Sequence, residues 1–452
     1  RSRIRKKEMS EMENSFHLLL FVMAAISISA FVLTNYDILH PFCIVALLMT
    51  FSVFLAVLGM SRWNLYMSID ASMVIIGCVL SFGFGSIWSD WTIRGGLNLQ
   101  KRIYGPEIGY KIKSWKVICA VLLMIGMACF QYKEVYEASI VYGNTSGIFD
   151  VFNMIKTVRH AIEMNKLYYS RWYQYRFIFA TGIAYCSIYI FFINVFSSQY
   201  AGVLKNAKIL LPVLFDFPFF ILSGGRGGVL ELFIFTLIVG AIIYQRVNGF
   251  SLSAKKRTIL IFLGCGCVSF IIFLLMGIVT GKVVPGRSDP IRILIHYGGL
   301  SLPALSKFLD QIHLENSLIG SHTLVGIYNN LNSLGADLPK VKAFLPFVDF
   351  GGINTNVYSI AGRYILDYGF VGMVLLMSIL GIFYTAFYDI VRFKMKGMIG
   401  IAFYGLVIFP IFFFTNDDFF LSTVVNTAIL YKFISFFCVY EFFTLDISNV
   451  FK

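Results

Sequence analysis

Apolar residues in this chain fall in blocks of about twenty, and inside a block they do not alternate with polar ones. FHLLLFVMAAISISAFVLT at 16–34 and ILIFLGCGCVSFIIFLLMGIV at 259–279 are apolar on every helical face. A helix rises 1.5 Å per residue, so such a block matches the roughly 30 Å hydrocarbon core of a bilayer. A transmembrane barrel strand would alternate apolar and polar residues over about ten positions, which these blocks do not. The pattern places spans at 16–34, 41–60, 65–87, 116–131, 177–197, 207–222, 229–245, 259–279, 364–388, 397–415 and 419–440. It predicts an all-α, polytopic integral membrane helical bundle of about eleven crossings.

Two connections are long, an outer loop at 132–175 and a larger loop with helical stretches at 280–363. The whole of 1–452 reads as a single transmembrane domain. Composition agrees: 58% of the 452 residues are hydrophobic, 13% are charged, and mean hydropathy is +0.77. A soluble fold of that composition would leave too much apolar surface in water. YYSRWYQY at 168–175 reads as an interfacial aromatic belt. The eight cysteines sit in or beside apolar blocks, and Cys265 and Cys267 point to different helix faces. They read as small buried hydrophobes, not as a disulfide framework or a metal site.

The net charge of +13 is carried by short basic segments. Arg94, Lys101, Arg102, Lys111, Lys113 and Lys116 lie in 88–116; Arg246, Lys255, Lys256 and Arg257 in 246–257; Arg392, Lys394 and Lys396 in 392–396. Lys and Arg mark cytoplasmic loops, so these three face inward and both long loops face outward. The basic run RSRIRKK at the start of the chain disagrees with that orientation. The block after it is long and lacks a small-residue cleavage site, so it reads as a retained first span and not a signal peptide. No basic stretch is organised as a nucleic-acid site. No repeat with a clean period suggests an inverted-repeat transporter.

The sharpest local feature is Ser223-Gly224-Gly225-Arg226-Gly227-Gly228 between two apolar blocks. Glycines such as Gly225 and Gly227 let backbone approach a ligand, and Arg226 brings a planar fork that fits phosphate oxygens. A plain turn with a snorkelling arginine is the equal alternative. Asp216, inside the preceding block, is functional or simply paired. Glu231 reads as a structural cap or a tether for Arg226. The second constellation runs from Asn354 through Tyr358, Arg363 and Asp367 to Gly369. Arg363 and Asp367 are four apart and share a helix face, either as a salt bridge or with Asp367 orienting Arg363 on a ligand. Arg287, Asp289 and Arg292 form a polar group in the same loop. His313 and His322 lack metal-ligand spacing and read as surface or packed histidines. Asp417 and Asp418 read first as solvated caps of the final helix, with binding of a cation or a sugar hydroxyl as the other reading. No P-loop and no Asp-x-Asp pair is present, so ATP-driven transport and the commonest metal-dependent nucleotide-sugar chemistry are unsupported, and no metal or cofactor is expected.

Taken in order, these pieces resemble the Wzy-type oligosaccharide repeat-unit polymerases of O-antigen and capsule assembly. ILLPVLFDFPFFILSGGRGGVLELFIF looks like the family's pair of spans joined by a glycine–arginine turn. YGGLSLPALSKFL at 297–309 and GSHTLVGIYNNLNSLG at 320–335 look like its extracytoplasmic loop, and INTNVYSIAGRYILDYGFVG at 353–372 like its asparagine–threonine stretch. The resemblance covers about residues 205–390. It implies a GT-C-like membrane glycosyltransferase in the bacterial inner membrane with a periplasmic active site. Its substrate would be an undecaprenyl-pyrophosphate-linked oligosaccharide, and it admits a chain-length regulator protein as partner. Arg226, Arg363 and Asp367 would be catalytic, with Gly225, Gly227, Arg287, Arg292, Asn354 and Tyr358 binding substrate. An O-antigen ligase and a lipid-linked oligosaccharide flippase are the alternatives. The ligases carry a histidine–asparagine style motif that His322-Thr323 does not match, and a transporter would spread charge through both halves.

The orientation is tested by labelling Ser288→Cys and Asn329→Cys with a membrane-impermeant reagent in spheroplasts. Both should react. Protection of both reverses the assigned face.

Overall fold

The computed structural model describes residues 2–63, 65–95, 109–145, 147–164, 169–279, 289–311, 319–339, 341, 345–394 and 398–445. Among them, nine helices are long and apolar enough to cross a bilayer: Ser15–Leu33, Pro41–Gly59, Ile69–Ile93, Ser114–Val141, Arg171–Val195, Gly227–Val247, Leu252–Leu275, Ser359–Phe393 and Thr427–Thr444. Their outward faces are apolar. The Leu252–Leu275 span alone leaves Leu260, Leu263, Ile271 and Leu275 more than half exposed, a face that only lipid would cover. This is a multi-pass helical membrane protein.

Two expected spans take other forms. Block 397–415 becomes a shorter apolar helix, Ile399–Phe413. Block 207–222 breaks into the short pieces Ala207–Leu210, Leu211–Leu214 and Phe217–Leu222. Pro212 and Pro218 each sit at the start of a piece, where a missing N–H and a fixed φ begin a helix but cannot continue one.

The chain divides into two compact units. The first comprises 1–101, 289–395 and 407–426; the second comprises 102–288, 396–406 and 427–452.

The first unit is built around the pairing of helix Ile69–Gly95 with helix Ser359–Asp389. Their backbones touch through glycine. A Cβ at Gly85 would lie 2.0 Å from the Ser378 carbonyl oxygen, and one at Gly381 would lie 2.1 Å from that of Phe82. Small residues at such a crossing replace the hydrophobic drive that lipid removes. At one end of this pair Asp37, fully buried, accepts hydrogen bonds from Tyr388 (2.8 Å) and Arg392. At the other end, Gly369 takes φ 68° and ψ −177°, interrupting the long helix just after Tyr368. The connecting loop forms helices Pro290–Gly298, Ser301–Gln311 and Val325–Ser333. It also forms a two-residue antiparallel ribbon pairing Val348 with Thr355 and Asp349 with Asn354.

In the second unit the helix Ser114–Val141 runs ten residues past its expected end, into the 132–175 connection. The amphipathic helix Val151–Glu163 follows, begun by Asp150, whose carboxylate accepts from Asn153 N–H (3.2 Å). It lays Met154, Ile155 and Val158 against Val135, Tyr173 and Leu222.

Three cations expected in short surface loops are inside the protein. Lys116 is buried in its helix and donates to the Phe443 carbonyl (3.0 Å), Arg246 is buried in helix Gly227–Val247, and Arg392 is bound to Asp37. The sequence shows a charge beside an apolar block but not whether a distant acceptor waits for it. Lys101, Arg102 and Lys396 lie outside the described residues.

The glycine seam is tested by Gly85→Ala and Gly381→Ala. Each forces backbones apart and should cost on the order of 1–3 kcal/mol, seen as a lower melting temperature in detergent. Gly126→Ala, with open space around it, should be neutral or slightly stabilising.

Candidate functional site

Ionisable side chains of the first unit converge where helix Ser359–Asp389 begins. The first turn of that helix is fastened to residue 414, because Ile360 N–H donates to the Phe414 carbonyl (2.9 Å). The following residues, Asp417 and Asp418, are thereby set against Arg363 and Tyr364. Arg363 presents its fork to Asp417: Nε donates to Oδ1, and Nη2 to Oδ2 at 2.8 Å. This bidentate geometry is the strongest a guanidinium makes with a carboxylate. Nη1 of the same group donates to the His322 carbonyl (2.8 Å).

One turn on, Asp367 binds the same loop residue from another direction. Its carboxylate accepts from the N–H groups of His322 (3.0 Å) and Thr323 (2.7 Å), from Thr323 Oγ1 (2.8 Å), and from His322 Nδ1 (2.8 Å). The Asp367 side chain is fully buried, while that of His322 is 26% exposed. A hydrogen bond from Nδ1–H to that carboxylate turns the other ring nitrogen, Nε2, away from Asp367. Thr323 Oγ1 also lies 2.9 Å from the Tyr368 hydroxyl. The helical spacing of Arg363 and Asp367 thus has a use that neither expected reading contained: the pair clamps one residue, His322, by its carbonyl, its amide and its ring. Arg363 takes its carboxylate partner from Asp417, not from Asp367.

Asp418 is 2% exposed. Its Oδ1 accepts from the amides of Phe420 (2.9 Å) and Leu421 (3.1 Å), and Oδ2 has no protein hydrogen-bond partner among the described residues. Burial pushes its carboxyl up to about 7, and Asp417 adds to that; the two amides and Arg363 act against it. Asp417 and Asp418 are therefore members of the buried cluster and not solvated helix caps.

The glycine-rich turn belongs to the second unit. Gly224 takes φ 63° and packs on Ile155 and Arg159 of the amphipathic helix. Gly225 N–H donates to Ser223 Oγ (3.2 Å), and Gly227 opens the next helix. Arg226 is 5% exposed, with its guanidinium 4.2 Å from the ring centre of Phe273. A cation over an aromatic face is stabilised by the ring's negative quadrupole. Glu231, one turn into the helix, is bonded to Lys432.

The other expected ligands are dispersed. Tyr358 is buried against Phe308, with ring centres 4.3 Å apart, and donates to the Pro346 carbonyl, so it packs the loop. Asn354 sits in the two-residue ribbon. Arg292 is exposed, lies 6.0 Å from the Trp63 ring centre, and reaches the Gly352 carbonyl at 3.5 Å. Asp289 pairs with Arg62 (2.8 Å), which holds its carboxyl below the usual range. Arg287 and His313 lie outside the described residues.

His322, Asp417 and Lys432 are organising groups that the pattern alone passes over. His322 lies 45 residues before its carboxylate, so no local spacing marks it. Lys432 could have been found, being the one charge inside block 419–440. Comparison of the chain with protein-family models, curated proteins and solved structures finds no match.

Asp418 gives a pH test. Its carboxyl titrates near about 7 when folded and at the ordinary carboxylate value when unfolded, so the folded state binds the extra proton between those limits. Stability should therefore fall as pH rises toward 7, by at most about 1.4 kcal/mol per pH unit from this group, and level off above. Asp418→Asn should flatten the melting-temperature profile between pH 5 and 7. An unchanged slope removes the assignment.

Proposed function

We propose that the protein is a membrane glycosyltransferase that polymerises undecaprenyl-pyrophosphate-linked oligosaccharide repeat units into O-antigen or capsular polysaccharide at the periplasmic face of the bacterial inner membrane. The reading rests on the ordered resemblance across about residues 205–390. The observation that carries its chemistry is the 2.8 Å contact of His322 Nδ1 with buried Asp367. A histidine so fixed is a general base. The acceptor hydroxyl gives its proton to Nε2 as its oxygen bonds to the anomeric carbon. The bond from that carbon to the lipid pyrophosphate breaks, and its electron pair leaves with the phosphate.

Arg363, held between Asp417 and the His322 carbonyl, acts here as a positioning residue. To bind pyrophosphate as well it must take its fork from Asp417. The resemblance alone assigns Arg226 to the leaving group. The charge developing on pyrophosphate is met by arginine, without a metal or cofactor in the scheme. A ligase transferring the same lipid-linked glycan to lipid A core is the second reading, favoured by the placement of a histidine base on the loop.

A deletion strain complemented with variants tests this. Wild type should restore long glycan chains. His322→Ala should cost about 10²–10⁴ in rate, and Arg226→Lys on the order of 10²–10³, each with normal membrane level. Loss of long chains with single-repeat lipid A retained marks a polymerase, and loss of both marks a ligase. Normal long chains from His322→Ala and Arg226→Lys together remove the proposal.

A further inference from the structure

The second unit buries a carboxyl group that the glycosyltransferase reading leaves unused. Asp216 lies between the short helices Leu211–Leu214 and Phe217–Leu222, with no exposed surface. Its backbone is engaged, N–H to the Val213 carbonyl (3.2 Å) and C=O from the Phe219 amide (3.0 Å). Neither side-chain oxygen has a protein hydrogen-bond partner among the described residues. Glu231 of helix Gly227–Val247 and Lys432 of helix Thr427–Thr444 act on it electrostatically. The buried Tyr185 of helix Arg171–Val195 interacts electrostatically with both carboxyls. Lys432 Nζ is bonded to Glu231.

Two carboxyls therefore compete for one ammonium. If both were ionised, two anions would stand against one cation, and one of the anions would have no donor at all. An ionised carboxylate without hydrogen bonds is the costliest group to bury, and it escapes the cost by holding a proton. We propose that Asp216, Glu231 and Lys432 form a proton-binding site inside this membrane-spanning unit. In the observed arrangement Asp216 holds the proton while Lys432 pairs with Glu231. In the exchanged arrangement Lys432 pairs with Asp216, and Glu231 holds the proton. Both contain the same atoms and the same net charge, so the exchange needs no ion from outside the site. Asp216 and Glu231 stand on either side of the 223–228 turn in sequence. The exchange moves the attachment of Lys432 from one arm of that turn to the other.

The site predicts a reactive acid. Dicyclohexylcarbodiimide partitions into bilayers and reacts with protonated carboxyls. The acid proton goes to one nitrogen, the carboxyl oxygen bonds to the central carbon, and the adduct rearranges to a stable N-acylurea with no oxidant or reductant. The full-length protein in native membranes is treated between pH 5.5 and 8.5, and adducts are located by peptide mass spectrometry. Asp216 should be labelled several-fold more than Glu231, with a rate that falls as pH rises, and a water-soluble carbodiimide should label neither. Asp216→Asn, which mimics the neutral acid, should keep its membrane level and lose the adduct. Lys432→Met leaves both carboxyls without the cation and should bring labelling of Glu231 up to that of Asp216. Absence of an Asp216 adduct in both wild type and Lys432→Met, or wild-type labelling of Glu231 equal to or above Asp216, overturns the site. The readout requires no glycan synthesis, so it stands or falls apart from the polymerase reading.

Discussion

One carboxylate holds the candidate site together. Asp367 receives two amides, a hydroxyl and a ring nitrogen from His322 and Thr323. Burying a carboxyl group is costly unless donors surround it, and here they come from the loop that it immobilises. Fixing the loop is entropically costly, and the charge-assisted bonds at Asp367 offset that cost where the geometry matters most. Arg363 completes the grip through the His322 carbonyl. The imidazole is thereby given one orientation by groups that also hold the backbone beneath it.

Charge is buried elsewhere by the same means, in pairs that join distant stretches of chain. Arg392 with Asp37 fastens the end of one long helix to the loop after the first. Arg363 with Asp417 fastens the start of that same helix to the 414–418 segment. In the second unit Glu231 and Lys432 join two spans. A pair of this kind adds little net stability over apolar packing. Losing one partner, however, strands a charge at about 3–5 kcal/mol. Such pairs hold particular helices in particular neighbourhoods, in a medium where apolar faces do not discriminate between partners.

The membrane-spanning character was legible because twenty-residue apolar blocks have few other uses. Where prolines punctuate a block, as at Pro212 and Pro218, length alone misleads and the segment folds as short pieces. The site was legible in part. The four-residue spacing of Arg363 and Asp367 marks a shared face, but the partners on that face come from 41 to 54 residues away. Lys116, Arg246 and Arg392 resemble loop charges for a related reason. Hydropathy reports what a residue costs in lipid and is silent on whether an acceptor from another helix removes that cost.

Gly369 sets the left-handed break directly after the turn that carries Arg363, Tyr364, Asp367 and Tyr368. Beyond it the helix continues for another twenty residues, to Asp389. Bilayers differ in thickness, and a long span answers by tilting. The break at residue 369 frees the turn held by the loop from sharing one axis with the rest of the helix. The residue that permits the break is the one with no side chain, and it divides the turn that grips His322 from the rest of the long helix.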